Sequence, residues 1–200
     1  MASVVDLLNS QLGQGGIEAI SRQLGIDPQT AQQAVAGAIP ILTGAMSRNA
    51  ATPDGAAALH QALQEHDGSI LDQAGQYLGQ GDTSAGDGIL GHLLGGNRDN
   101  AANGLAQATG LDAGSSSQLL AMLAPLVMGA IGRAHAQQGQ GPGDLAGMLA
   151  GEHAQAQSAA PSGVLGMLEG LLDTNRDGSV VDDVTRMGGD LLGGLFCGKR

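Results

Sequence analysis

Two prolines constrain this chain more than any other residues. Pro40 and Pro125 each interrupt an apolar run, Ile39-Pro40-Ile41 and Ala124-Pro125-Leu126, and they lie 85 residues apart. The same offset of 85 relates Gly25-Ile26-Asp27 to Gly110-Leu111-Asp112, Thr30 to Ser115, Gly44 to Gly129 and Arg48 to Arg133. Asp6-Leu7-Leu8 faces Gly88-Ile89-Leu90 at a slightly smaller offset. A match this extended predicts one multi-helix unit used twice, over residues 1–80 and 86–151. A proline inside a helical run removes a backbone donor, so each is expected to kink or split its helix.

Within each unit the apolar residues recur at helical spacing. Val4, Val5, Leu8 and Leu12 share one face, and Ile17, Ile20 and Leu24 form a second stripe that Gly25 ends. Asp27-Pro28 is a strong helix start, with Asp as N-cap and Pro at the first helical position. Val35, Ile39, Leu42 and Met46 continue the pattern. From Leu119 to Ile131 almost no polar face remains, which predicts a central buried helix too short to span a bilayer. Arg48 and Arg133 read as favourable charges closing the two proline-containing helices. Leu59 with Leu63, Leu145 with Met148 and Leu149, and Ile70 through Leu78 mark further helices. Gly79–Gly88 and Glu152–Gly163 read as linkers, and no stretch alternates as a strand would.

Composition narrows the chemistry. Aromatic residues are 1% of the chain, so the core must be built from Leu, Ile, Val, Met and Ala. Eight Lys and Arg against nineteen Asp and Glu leave a net charge of −11, which repels nucleic-acid phosphates and anionic lipid. The charge favours a cation or a basic partner. The lone Cys197 excludes an intramolecular disulfide and fits a reducing compartment. The N-terminus has no basic region followed by an apolar stretch, so a cytoplasmic location is expected. His60, His66, His92, His135 and His153 show no zinc spacing and read as surface or helix-face residues. No nucleophile elbow or phosphate loop is present, and the chain is expected not to be an enzyme.

One segment carries metal chemistry. In Asp173-Thr174-Asn175-Arg176-Asp177-Gly178-Ser179, alternate oxygen-bearing residues precede a glycine where an EF-hand or dockerin-like loop turns. Asp173, Asn175 and Asp177 would supply side-chain oxygens and Ser179 its carbonyl. Val184 stands where the closing bidentate Glu is usual, so Asp182 or Asp183 must complete the site. Calcium is the expected ion and magnesium its competitor. Leu168, Leu171 and Leu172 before the loop, and Val184, Met187 and Leu191 after it, predict a helix-loop-helix over 164–197.

The run Gly25-Ile26-Asp27-Pro28-Gln29-Thr30-Ala31-Gln32-Gln33-Ala34-Val35, the segment Ile39–Met46 and the C-terminal Asp177-Gly178-Ser179-Val180-Val181-Asp182-Asp183 resemble the bacterial YidB-like family, domain of unknown function 937. The resemblance implies a helical fold with helix-turn-helix-like units and no established activity. The expected architecture is thus all-α: a duplicated helical unit followed by a helix-loop-helix with an acidic loop. The expected function is a non-catalytic structural or interaction module that binds a protein partner or itself. The alternative is a helix-turn-helix-like nucleic-acid-binding module, which the acidic charge and the lack of stacking aromatics oppose.

Overall fold

The computed structural model describes residues 4–139 and 141–160, and these are helical, with no strand among them. The acidic loop, and with it Asp173, Asn175, Asp177, Ser179, Asp182 and Asp183, lies outside the described residues. The elements run α1 (Val4–Leu24), α2 (Pro28–Ala50), α3 (Pro53–Glu65), α4 (Ala74–Gln80), α5 (Ser84–Leu94), α6 (Arg98–Thr109), α7 (Ala113–Gln138) and α8 (Pro142–Ala159). Short 3-10 turns at Ser69–Gln73 and Gly95–Asn97 lead into α4 and α6.

Local chemistry sets the helix boundaries. Asp27 caps α2 by accepting from the backbone N–H of Gln29 and Thr30, both at 3.0 Å, and from the Thr30 hydroxyl at 2.6 Å. Asp112 caps α7 through the Ser115 N–H at 2.9 Å and the Ser115 hydroxyl at 2.6 Å. A left-handed glycine precedes each cap, Gly25 at φ 66° and Gly110 at φ 76°. These bonds hold both carboxyls below their ordinary pKa, the side-chain hydroxyl bond being the largest cause. The two stripes expected at the N-terminus belong to α1, which breaks at Gly13 (φ 45°, ψ −160°). The break turns both apolar faces inward, burying Val4, Leu8 and Leu12 before it and Ala19 and Ile20 after it.

Several expectations are corrected. Of the kink or split expected at each proline, the split does not occur: α2 runs through Pro40 and α7 through Pro125. In α2 the Thr43 hydroxyl donates to the Ile39 carbonyl at 3.0 Å, which ties the turn beyond the proline back to the one before it. Most of Gly79–Gly88 is helix, because Thr83 and Asp87 open α5 with a backbone bond of 2.7 Å. Glu152–Ala159 continues α8, since its Ala and Gln residues are good helix formers and nothing there breaks the turn. Arg133 is no C-terminal charge: α7 continues to Gln138, and Arg133 instead donates to the Gly68 carbonyl at 2.6 Å and to Asp72 at 3.1 Å.

α7 is the centre of the bundle, packed against α1, α2, α3, α5 and α6. It is also long and apolar enough to cross a membrane by length and composition, although 83% of its apolar window is buried within the protein. Leu, Ile, Val, Met and Ala make the core, as the shortage of aromatics requires. Small residues let backbones meet. A Cβ at Gly86 of α5 would stand 1.7 Å from the Ala121 carbonyl oxygen, and one at Gly132 would stand 2.2 Å from the His66 oxygen. Ala121 is the residue whose carbonyl Pro125 cannot bond, so α5 approaches α7 where its ladder is open. α8 lies across α2 and α3.

Candidate functional site

A groove of about 790 Å³ opens between α3 and α5. Gly55, Ala58, Leu59 and Ala62 form one wall, and Ala85, Gly88, Ile89 and Leu93 form the other. Met128 of α7 and Asn49 of α2 also line it. Asn49 holds α2 to α5 by donating from its amide to the Ala45 carbonyl at 2.9 Å and the Leu93 carbonyl at 3.0 Å. Gln61, Glu65, His66 and His92 supply the polar lining. The His66 Nδ1–H donates to the Ala62 carbonyl at 2.8 Å, which leaves its other nitrogen an acceptor. The lining is mostly small and apolar, so the groove can bury an apolar side-chain stripe but brings no nucleophile and base together.

The exposed surface of the described residues as a whole is acidic, and Glu65 brings one carboxylate to the groove. Arg98 pairs with Asp87, and Arg133 is held by Gly68 and Asp72, which leaves Arg22 and Arg48 as the exposed cations among the described residues. Exposed carboxylates far outnumber them.

The histidines divide by burial. His66 and His92 border the groove. His60 and His135 meet edge to face, with ring centroids 5.0 Å apart. His153 of α8 sits over α2 at Gly44, where a Cβ would come within 2.7 Å of its ring. Its Nδ1 is 3.4 Å from the Thr43 hydroxyl, and its Nε2 is 3.1 Å from the Gln157 amide nitrogen. His135 and His153 are thus interhelical rather than surface residues. Spacing within the sequence could not reveal this, because the partners come from different helices.

Burial lowers the His153 pKa, and the Arg48 charge lowers it further. The unfolded chain then takes up this proton at higher pH than the folded one, so the contribution to stability is complete above the ordinary histidine pKa of about 6.5 and declines as pH falls below it. We expect melting temperature, followed by circular dichroism from pH 8 to pH 5, to fall less steeply in His153→Gln. Parallel curves for the two proteins would refute the assignment.

Among the described residues no group of three or more His, Cys, Asp and Glu side chains is placed to hold a metal ion. The family described as "Bacterial protein of unknown function (DUF937)" matches residues 6–134. The chain belongs to that family. The match spans α1 to α6 and most of α7, and so includes both capped helices and the whole groove. No curated protein and no solved structure matches the chain.

Proposed function

We propose that this DUF937 protein is a non-catalytic interaction module whose α3/α5 groove receives the apolar face of a basic amphipathic helix from a protein partner. The groove carries the reading: its walls are Ala, Gly, Leu and Ile, Glu65 lines it, and the chain as a whole carries −11. Helix-in-groove recognition needs an apolar trough for side chains at i, i+3, i+4 and i+7, and complementary charge outside it. A second copy of the chain is the weaker occupant, because each copy carries −11. Nucleic acid is disfavoured for the same reason.

The chain has no Trp, so a Lys/Leu amphipathic peptide bearing one Trp reports its own binding. We expect its emission to shift to the blue on addition of protein, with an affinity that weakens as salt rises. Ala58→Glu, at an exposed position, with Ala62→Glu, at a half-buried one beside it, places charge in the groove and should abolish the shift while circular dichroism shows the helices retained. Binding that survives the double substitution rules the groove out.

Three further parts belong to this reading. The described helices are taken as a unit used twice, supported by the recurrence of the left-handed glycine, capping Asp, hydroxyl partner and interior proline. The cytoplasm is its proposed location, on the strength of the single cysteine. The acidic loop at Asp173–Asp183 is proposed to bind calcium and to stabilise the C-terminal segment, supported by its oxygen-bearing spacing. Millimolar calcium should then raise the melting temperature of the full chain, and Asp173→Ala with Asp177→Ala should remove the increase. An unchanged melting curve in calcium would sink that part alone.

A further inference from the structure

We infer that the segment Val164–Leu172 of this chain docks in a second groove, between α1 and α2, as the continuation of α8. That groove holds about 910 Å³. Leu12 and Ile17 of α1 with Val35 and Ala36 of α2 give it an apolar floor, and Gln14, Gln29 and Gln32 edge it with uncharged amides. Ile17 and Ala36 are only half-buried. A Cβ at Gly13, where α1 breaks, would meet nothing within 4 Å, so the α1 wall has room beside it.

The course of α8 leads into this groove. α7 passes α3 with Gly132 at His66 and His135 at His60, so it ends beside the N-terminal half of α3, which follows directly on α2. α8 starts from there. Further along it, Glu152 accepts from the Val4 N–H at 2.8 Å, and His153 sits over Thr43 and Gly44. α8 therefore runs from the end of α2 toward its start, beside α1. Ala160 is seven residues beyond His153, about 10 Å at 1.5 Å per residue, which brings it level with Gly37 and next to Ala36 of the groove. The face matches as well. Gln29, Gln32, Ala36, Pro40 and Thr43 fall at i, i+3, i+7, i+11 and i+14, a single row along α2. His153 covers that row at Thr43, and the groove is the same row left open at Gln29, Gln32 and Ala36.

The chain that follows α8 suits the groove. Residues 161–200 lie outside the described residues, and Pro161-Ser162-Gly163 is the short connection before Val164. Val164, Leu165, Met167, Leu168, Leu171 and Leu172 fall at i, i+1, i+3, i+4, i+7 and i+8, the spacing of one apolar helix face. Glu169 is the only charge from Val164 to Leu172, which fits an apolar floor edged by amides. So short a tether holds the segment at an effective concentration of about millimolar, which favours the chain's own segment over that of a second copy. Docking here is independent of what the α3/α5 groove binds.

The test uses the full chain carrying Leu168→Trp as its only Trp, and Cys197→Ser so that a nitroxide can be attached at one chosen cysteine. Gln32→Cys places the label at the α1/α2 groove and Ala58→Cys at the α3/α5 groove, both at exposed positions. The nitroxide quenches indole emission only near contact. We expect blue-shifted emission that the label at position 32 largely removes and the label at position 58 leaves unchanged. Ala36→Glu, added to the chain labelled at position 32, should restore the emission and shift it to the red, while circular dichroism shows the helices retained. Leu171→Trp serves as a second reporter if the larger ring at position 168 does not fit. The proposal is overturned by red emission from both reporters, by quenching from position 58 instead of 32, or by quenching that disappears on dilution, which would place the segment on a second copy.

Discussion

Gly86→Ala is expected to destabilise the protein by about 3 kcal/mol or more, at the upper end of overpacking costs. The added Cβ would meet the Ala121 carbonyl oxygen at 1.7 Å and its carbon at 2.5 Å. Both are backbone atoms of the most buried helix, so no side chain can swing aside. Relief requires α5 to move away from α7, which uncovers Ile89, Leu90 and Leu94. Gly91, on the same helix, has nothing within 4 Å of its added Cβ. Gly91→Ala should therefore stabilise α5 by up to about 1 kcal/mol, the difference in helix propensity. Urea denaturation of the pair measures the contrast. If Gly86→Ala loses less than about 0.5 kcal/mol, the size of an ordinary surface substitution, α5 and α7 do not meet backbone to backbone.

Leu120→Ala is expected to cost about 2–5 kcal/mol, toward the upper end. Leu120 is fully buried in α7, and its neighbours along the helix, Leu119, Ala121, Met122, Leu123 and Ala124, are buried too. The cost of such a truncation depends on how far the surroundings collapse into the cavity. Helices already in contact through glycine and alanine have little room to move closer. Leu24, half-buried at the end of α1, is the comparison: Leu24→Ala should cost about 1 kcal/mol, because water fills its place. Equal losses at the two sites, read from denaturant midpoints, would contradict the central position of α7.

Both predictions depend on packing that no local pattern announces. The capped start of α2 was legible in Asp27-Pro28, and that of α7 followed from the match of Asp112 to Asp27; the reason is distance along the chain. Asp27 bonds Gln29 and Thr30, and Asp112 bonds Ser115, so each motif contains its own partners. Apolar spacing located α1, α2, α3 and α7 for the same reason. It misjudged Gly79–Gly88 and Glu152–Ala159, where glycine or polar composition outweighed a helical signal that tertiary packing sustains. Of the candidate site, the sequence pointed to the acidic loop, which lies outside the described residues, and gave no sign of the groove. A groove is a property of two helices, and neither Ala58 nor Ala85 carries a mark of what faces it.

The prolines divide the two kinds of information. Sequence alone determined that Pro40 and Pro125 sit in matching helical contexts, and that each deprives a carbonyl of its donor, because both facts follow from covalent structure and spacing. Only the tertiary structure decided the outcome. The helices continue through both prolines, and at Pro125 the open carbonyl of Ala121 faces Gly86 of another helix. Arg133 reaching Gly68 and His60 meeting His135 are of the same kind. Contacts between residues far apart in the chain have no sequence period. They depend on how the helices pack, which the whole core sets at once.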